Sequence, residues 1–397
     1  METKLKEFFD SVIIRFSGEL WLKKRWTRRQ YEKQLARNLK RTLKNYKVPY
    51  SQLLRRYSRF YLKTGSALEA ARRIAHVFGV SSVSPAFETS SKLDDILENG
   101  IFLAGLVLKK GNSFAVRCKR VGKQDYSSAD VRQMLGKRVL DELGKNLSLR
   151  VDLGFPDAVL GVEVRDEEAF IYSKVIEGIG GMPLGTQPKL VGLFSGGIDS
   201  AVACWLVMKR GSPVIPVFFD NSPFTDETTT KRALEVAEAL LGWATGFPRK
   251  VYVVQHGENL RKIMETNRKY SCLLCKRMMY RVAECLAEQY GAEGIVTGEA
   301  IGEQASQTLV NLRVLNDAVE DYPVHRPLLG FDKTETEALA RKIGTYKVSS
   351  KSAGACTAVP YSPSTKARLE EVYKAEEKLD IKQMIEKTLK TIKIIEV

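Results

Sequence analysis

The chain has 397 residues, 44% of them hydrophobic and 9% aromatic, with a net charge of +16 and six cysteines. That length makes room for two or three domains with buried cores, and no apolar run approaches the roughly 18–20 residues of a membrane span. Six cysteines in so long a chain do not make a disulfide framework, the opening Met1-Glu2-Thr3-Lys4-Leu5-Lys6-Glu7 lacks an apolar signal-peptide core, and the surplus positive charge points to a polyanionic partner met in the cytoplasm.

Ser11–Phe16 is a β-rich run. Residues 26–46 then read as a helix, with Tyr31, Leu35, Leu39 and Leu43 forming its buried stripe at four-residue spacing. Strand-like runs follow at Gln52–Tyr57 and Arg59–Thr64, then a helix at Ala67–Val77 and a strand at Ser82–Glu88. The order βαββαβ is the ferredoxin-like pattern. Between Leu20 and Phe60 stand fourteen Lys or Arg residues against one acid, Glu32. A solvated helix face normally mixes both signs, so Lys24, Arg25, Arg28, Arg29 and Lys33 are candidate RNA contacts. No long apolar face accompanies them, which favours nucleic acid over a lipid surface.

Beyond Lys92 come a helix at Asp94–Val107, a strand at Ser113–Lys119, a Ser-capped helix at Ser128–Leu143, and strands near Leu149–Leu153, Ala158–Glu163 and Ala169–Ser173. Arg117, Lys119 and Arg120 continue the basic character. Gly178–Gly185, with Pro183, reads as a linker. Leu190–Phe194, Val214–Phe219, Val251–Val254 and Gly294–Thr297 then alternate with helical patterns, which predicts a parallel sheet with ligands at its carboxyl ends. Residues 374–394 read as a charged helical tail. The expected organisation is mixed α/β and α+β, with domains at 1–90, 91–175 and 176–397.

Ser195-Gly196-Gly197-Ile198-Asp199-Ser200 sits between the first of these strands and a helix. Adjacent glycines let the backbone close on an oxyanion, the free N–H groups of a helix start point at it, and the dipole favours negative charge. Ser195 and Ser200 can add hydroxyl donors, and Asp199 can cap the helix or hold a metal. No Gly-Lys-Ser/Thr is present, so this is not the Walker loop. The hexapeptide resembles the PP-loop of ATP pyrophosphatases, which split ATP between its α and β phosphates.

Further blocks resemble one subfamily, the tRNA 4-thiouridine synthetases, or tRNA sulfurtransferases. Phe16-Ser17-Gly18-Glu19-Leu20-Trp21-Leu22-Lys23 is similar to its opening motif, and Phe114–Arg120 to its THUMP RNA-binding domain. Thr297-Gly298-Glu299 through Gln304, Gln307 and Thr308, then Arg326-Pro327-Leu328 and Asp332-Lys333, follow in the same order. The resemblance runs from about residue 12 to about 380. It implies a ferredoxin-like domain, a THUMP domain and a doubly wound parallel-sheet PP-loop domain, acting on tRNA as a homodimer.

The resemblance further implies ATP-dependent conversion of uridine 8 to 4-thiouridine through an adenylated uridine. Adenine would rest on Leu193, Phe194 and Phe218, its edge read near Phe219 and Gly298. Ser195, Gly196, Gly197, Asp199 and Ser200 would hold the phosphates, Asp199 with Mg²⁺, and Lys333 would neutralise departing pyrophosphate. Gln307 is placed in the same site. Cys356 is matched to the active cysteine, with the Cys272-x-x-Cys275 pair beside it. Three thiolates suit a 4Fe-4S iron–sulfur cluster with one open iron, or a 3Fe-4S cluster. The competing reading is a persulfide on Cys356 with a redox partner. The sulfur donor would be a cysteine desulfurase persulfide or inorganic sulfide.

No histidine lies near these cysteines in sequence, which argues against structural zinc. Cys118, Cys204, Cys285, His76, His325 and Met278-Met279 read as structural. The chain end at Val397 leaves no room for a rhodanese domain, and with it the expectation of a thiamine-thiazole role is small. Alternatives are another PP-loop enzyme, such as a tRNA 2-thiolation enzyme or an amidotransferase-type ligase, the latter not needing the basic segment, and a non-catalytic RNA-binding protein, which does not need Lys333 and the three cysteines.

Overall fold

In the computed structural model, which describes residues 2–397, the chain divides into two compact units, 1–183 and 184–397. Met1, with which the expected 1–90 domain begins, lies outside the described residues. No described helix is long and apolar enough to cross a membrane.

The first unit runs α1 (Glu2–Phe8), β1 (Ser11–Phe16), α2 (Arg25–Asn45), β2 (Gln52–Arg56), β3 (Arg59–Lys63), α3 (Ala67–Ile74) and β4 (Val80–Ser90). It continues through α4 (Leu93–Val107), β5 (Ser113–Val121), α5 (Ser128–Val139), α6 (Lys145–Leu147), β6 (Arg150–Val151), β7 (Ala158–Arg165), β8 (Glu168–Tyr172) and β9 (Ile176–Glu177). Leu35, Leu39 and Leu43 are fully buried, as the four-residue spacing requires. Ser127 and Asp130 close a capping box that starts α5.

The strands form one sheet in the order β2-β3-β1-β4-β8-β7-β5-β6, with β9 added to β4. The first four strands are the antiparallel ferredoxin-like set. β4 is longer than the sequence predicts. Its first half pairs with β1 and its second half, Phe87–Ser90, with β8. One strand therefore joins the expected 1–90 and 91–175 segments through a shared sheet. Segment 176–183, assigned from sequence to the third domain, belongs to this unit, because β9 pairs with Ser82–Val83.

The second unit runs β10 (Lys189–Leu193), α7 (Ile198–Lys209), β11 (Val214–Asp220), α8 (Glu227–Leu241), β12 (Lys250–Gln255), α9 (Gly257–Thr266), α10 (Ser271–Tyr290) and β13 (Ala292–Val296). α11 (Leu309–Asn316), β14 (Val324–His325), α12 (Lys333–Ile343), α13 (Tyr346–Ser349), α14 (Leu369–Glu376), α15 (Ile381–Leu389) and β15 (Lys393–Glu396) complete it. Sheet order is β14-β13-β10-β11-β12-β15, parallel except for β15. Val191 faces a core built with α9 and α10, while a Cβ at Gly192 would meet Cys204 of α7 at 2.8 Å. Successive residues of one strand thus face helices on opposite sides, the doubly wound arrangement.

The expected helical tail is corrected. Asp380 caps α15, accepting from the Gln383 amide at 3.0 Å, and Ile394 and Ile395 pair with Tyr252 and Val251 of β12. A β-branched pair set against an open sheet edge overrides the charged helical pattern.

Candidate active site

β10 and β13 are neighbours whose crossovers leave in opposite directions, which opens a crevice at their carboxyl ends. The loop 194–197 lies there. Gly196 has φ of +71°, and a Cβ on it would stand 2.5 Å from Ala233 Cα, so only glycine fits. The Ser195 hydroxyl lies 3.2 Å from the Ser200 hydroxyl, and the Gly197 amide donates to Ser195 Oγ at 3.3 Å. Gly197 caps α7 without a side-chain acceptor. The first amides of α7 are left for an external anion. A Cβ at Gly298 would come within 2.6 Å of the Asp199 carbonyl carbon, so that glycine permits the chain after β13 to press against this loop.

Lys333 opens α12, whose start is fixed by the Asp332–Glu335 capping box. Its Nζ donates to both Asp199 oxygens, at 2.9 and 3.0 Å, and to Glu303 at 2.6 Å. Burial raises the Asp199 carboxyl above its ordinary value, with the Lys333 bonds pulling against it. Burial also opposes the Lys333 charge, but Glu303 and Asp199 outweigh it and hold its pKa up. An ammonium between two carboxylates beside a helix start is poised to exchange partners when phosphates or Mg²⁺ arrive.

A cavity of about 270 Å³ runs from this loop along the strand ends. Leu193, Phe194, Ser195, Asp199, Ser200, Phe218, Phe219, Gly298 and Gln307 all line it, so the sequence-predicted nucleotide residues converge on one space. Lys333 reaches it through Asp199. Sequence reasoning missed the wall opposite the loop. There Lys276, Tyr280 and Glu299 also line the cavity. The Glu299 carboxylate accepts from Lys276 Nζ (3.1 Å), Tyr280 Oη (2.5 Å), Thr297 Oγ1 (3.1 Å) and Arg326 Nε (3.0 Å). Burial pushes this carboxyl up, yet the two cations and the Tyr280 hydroxyl together hold it below its usual value. The motif residues Glu299 and Arg326 were visible, but their partners lie on α10, which no spacing rule connects to them.

The three cysteines gather beside this cavity rather than in it. Cys275 is buried, Cys272 and Cys356 half-buried. Ser271, just before Cys272, donates to the Ala358 carbonyl at 3.1 Å and so ties the start of α10 to the loop bearing Cys356. Burial raises the Cys272 and Cys275 thiols, and the neighbouring thiols raise them further. Among the described residues no three His, Cys, Asp or Glu groups share one ion's coordination sphere. A cluster takes its thiolates on separate irons, so its ligands stand further apart than those of one ion. Together Cys272, Cys275 and Cys356 offer three soft thiol donors, the ligand chemistry of iron–sulfur groups.

His256, which sequence spacing did not connect to the cysteines, places Nε2 3.3 Å from Cys275 Sγ. It is fully buried, which lowers its pKa to about 4 and keeps it neutral. Asn259 donates to Nδ1 at 3.4 Å, leaving the proton on Nε2, directed at the sulfur. A histidine just past a strand's carboxyl end was the available signal.

In the first unit Lys24, Arg25, Arg29 and Lys33 are exposed along the start of α2. The Arg28 guanidinium instead lies over the Trp21 ring, 4.5 Å from its centroid. Glu32, the single acid of this segment, is buried and paired with Arg55 at 2.8 Å, so the outer face carries no compensating charge. On β5, Arg117 and Lys119 are exposed, while Arg120 donates to Gln124 Oε1 at 3.0 Å and the Gly122 carbonyl at 3.1 Å. Cys204 is buried core, and Met278 is fully buried, as expected. Met279 lines the cavity.

Residues 185–381 match the family described as thiamine biosynthesis protein (ThiI), 11–84 the ThiI ferredoxin-like domain, and 91–174 the THUMP domain. A "Probable tRNA sulfurtransferase" of Methanosarcina mazei is 42% identical over 97% of this chain and 95% of its own length. One of Methanobrevibacter smithii is 39% identical over 97% and 99%. A crystal structure of a 4-thiouridine synthetase–RNA complex with bound ATP superposes with a TM-score of 0.88 at 30% identity, covering 98% of this chain and 99% of that one.

Proposed function

The chain belongs to the tRNA sulfurtransferase (ThiI) family, and from that premise we propose that it uses ATP to convert uridine 8 of tRNA to 4-thiouridine. One observation carries the reading: the uncapped amino end of α7, flanked by Asp199 and Lys333 at the sheet's switch point. ATP lies with adenine on the apolar strand ends and its phosphates on the loop amides, whose fixed dipoles meet charge as it develops. The uridine O4 attacks the α phosphate, the bond to the β phosphate breaks, N3 gives up its proton to solvent, and pyrophosphate leaves toward Lys333. AMP on O4 is then a good leaving group, and a sulfur nucleophile at C4 displaces it. Asp199 and Glu303 would hold Mg²⁺, which shields phosphate charge.

Cys272, Cys275 and Cys356 would hold an iron–sulfur cluster, whose open iron supplies a place for external sulfide. The three soft thiol donors support this reading. His256 orients the Cys275 sulfur through Nε2–H. The RNA is gripped by the basic outer face of α2 and by Arg117, Lys119 and Arg120 in the ferredoxin-like (1–90) and THUMP (91–175) segments, mainly through phosphates. Family resemblance supports a homodimer and a cysteine desulfurase persulfide or sulfide as donor.

Pyrophosphate and AMP should form only when tRNA is present, with 4-thiouridine appearing in the RNA. Asp199→Ala should slow pyrophosphate release by about 10²-fold or more. Thiolation at the normal rate in that variant overturns the reading.

A further inference from the structure

Asn221 Oδ1, Thr225 Oγ1 and Gln307 Oε1 are shut off from solvent and have no hydrogen-bond partner. All three residues line the nucleotide cavity. Leaving such a group unmet is costly, so three at one cavity mark a place where a polar ligand completes the bonding. Asn221 and Thr225 take no part in the adenine and phosphate contacts named above, while Gln307 stands at the border of that nucleotide set.

The position of these groups says which ligand. Asn221 and Thr225 lie on the segment between β11 and α8. That segment and the first turn of α8 are tied to the loop around Cys356: the Thr357 amide donates to the Phe224 carbonyl at 2.9 Å, and Thr229 Oγ1 of α8 donates to the Gly354 carbonyl at 3.4 Å. Gln307 precedes α11, which is tied to the same loop farther along. Thr308 Oγ1 donates to the Thr365 carbonyl and Asn311 Nδ2 to the Ser364 carbonyl, both at 2.7 Å. The unmet groups therefore sit on the two walls that anchor the cysteine loop. The base to be modified must lie between the α phosphate and the sulfur carrier, which is the space those walls enclose.

We propose that Asn221, Thr225 and Gln307 form the seat of the target uracil and select it by its hydrogen-bonding edge. This rests on the thiolation reading above. Uracil offers one donor, N3–H, between two carbonyls. An amide oxygen from Asn221 or Gln307 accepts from N3–H, and the Thr225 hydroxyl donates to a flanking carbonyl. Cytosine presents an acceptor at N3 and an amine at C4, so it places like against like.

The test uses Asn221→Ala and Thr225→Val in the full chain, measuring ATP affinity and single-turnover, tRNA-dependent pyrophosphate release. ATP affinity should stay within about threefold while release falls by about 10²-fold, since a site built to bond a donor rejects its absence strongly. ATP affinity that weakens in step with turnover assigns these groups to adenine and overturns the proposal. So does unchanged turnover. Wild-type protein that releases no pyrophosphate with unmodified tRNA overturns the parent function instead.

Discussion

Glu163 is fully buried in the first unit, with Arg15 Nη2 at 2.7 Å, Arg59 Nε at 3.0 Å and Arg165 Nη2 at 2.7 Å. Burial pushes its carboxyl up, but the three guanidiniums outweigh that and hold the pKa below its ordinary 4.5. Glu163→Gln leaves three cations around a neutral amide and should cost about 3–5 kcal/mol at neutral pH. Because the folded pKa is the lower one, the unfolded chain binds the extra proton, and the Glu163 contribution is fully present above pH 4.5 and lost as pH falls through the folded value. The difference in melting temperature between variant and wild type should therefore close on acidification below that point; a gap that widens there contradicts the assignment. None of this cluster was legible in the sequence, since its members come from β1, β3 and β7. The nucleotide loop was legible because its chemistry lies within six consecutive residues. Asn221, Thr225, Lys276 and His256 were not, because each acquires meaning only from a partner on another strand or helix.

Among the elements, the ferredoxin-like order and the parallel strands could be read because the apolar periods of α2 and of β10–β13 are long and regular. β15 was hidden, since four residues of alternating Lys, Ile, Ile and Glu carry no helix-or-strand signal apart from the edge they join. The start of α10 and the loop bearing Cys356 are brought together by Ser271 and Ala358. Anaerobically purified protein should carry about four irons per chain with matching sulfide if a cubane forms. Cys356→Ala should lose or diminish that content. Iron-free protein that still thiolates tRNA would restore the persulfide reading.

At the scale of the whole molecule, charge and chemistry are segregated. The solvent face of α2 is nearly all positive because its one acid is turned inward to Arg55, whereas the second unit holds the cavity and the thiols. Replacing Arg25, Arg29 and Lys33 with neutral residues should weaken tRNA binding and lower the slope of log affinity against log salt by about one for each phosphate no longer neutralised. An unchanged slope removes α2 from the RNA interface. The net charge of +16 announced a polyanion from composition alone.

The antiparallel seal of β15 on β12 also bears on how the protein is made. A ribosome delivers β12 long before Lys393 emerges, and throughout the synthesis of α9 to α15 the Val251–Val254 edge is bare. An unpaired apolar strand invites a neighbouring nascent chain. Until β15 arrives that edge is open to pairing, and a chain cut before Lys393 should aggregate more than the full chain during refolding, as light scattering would show.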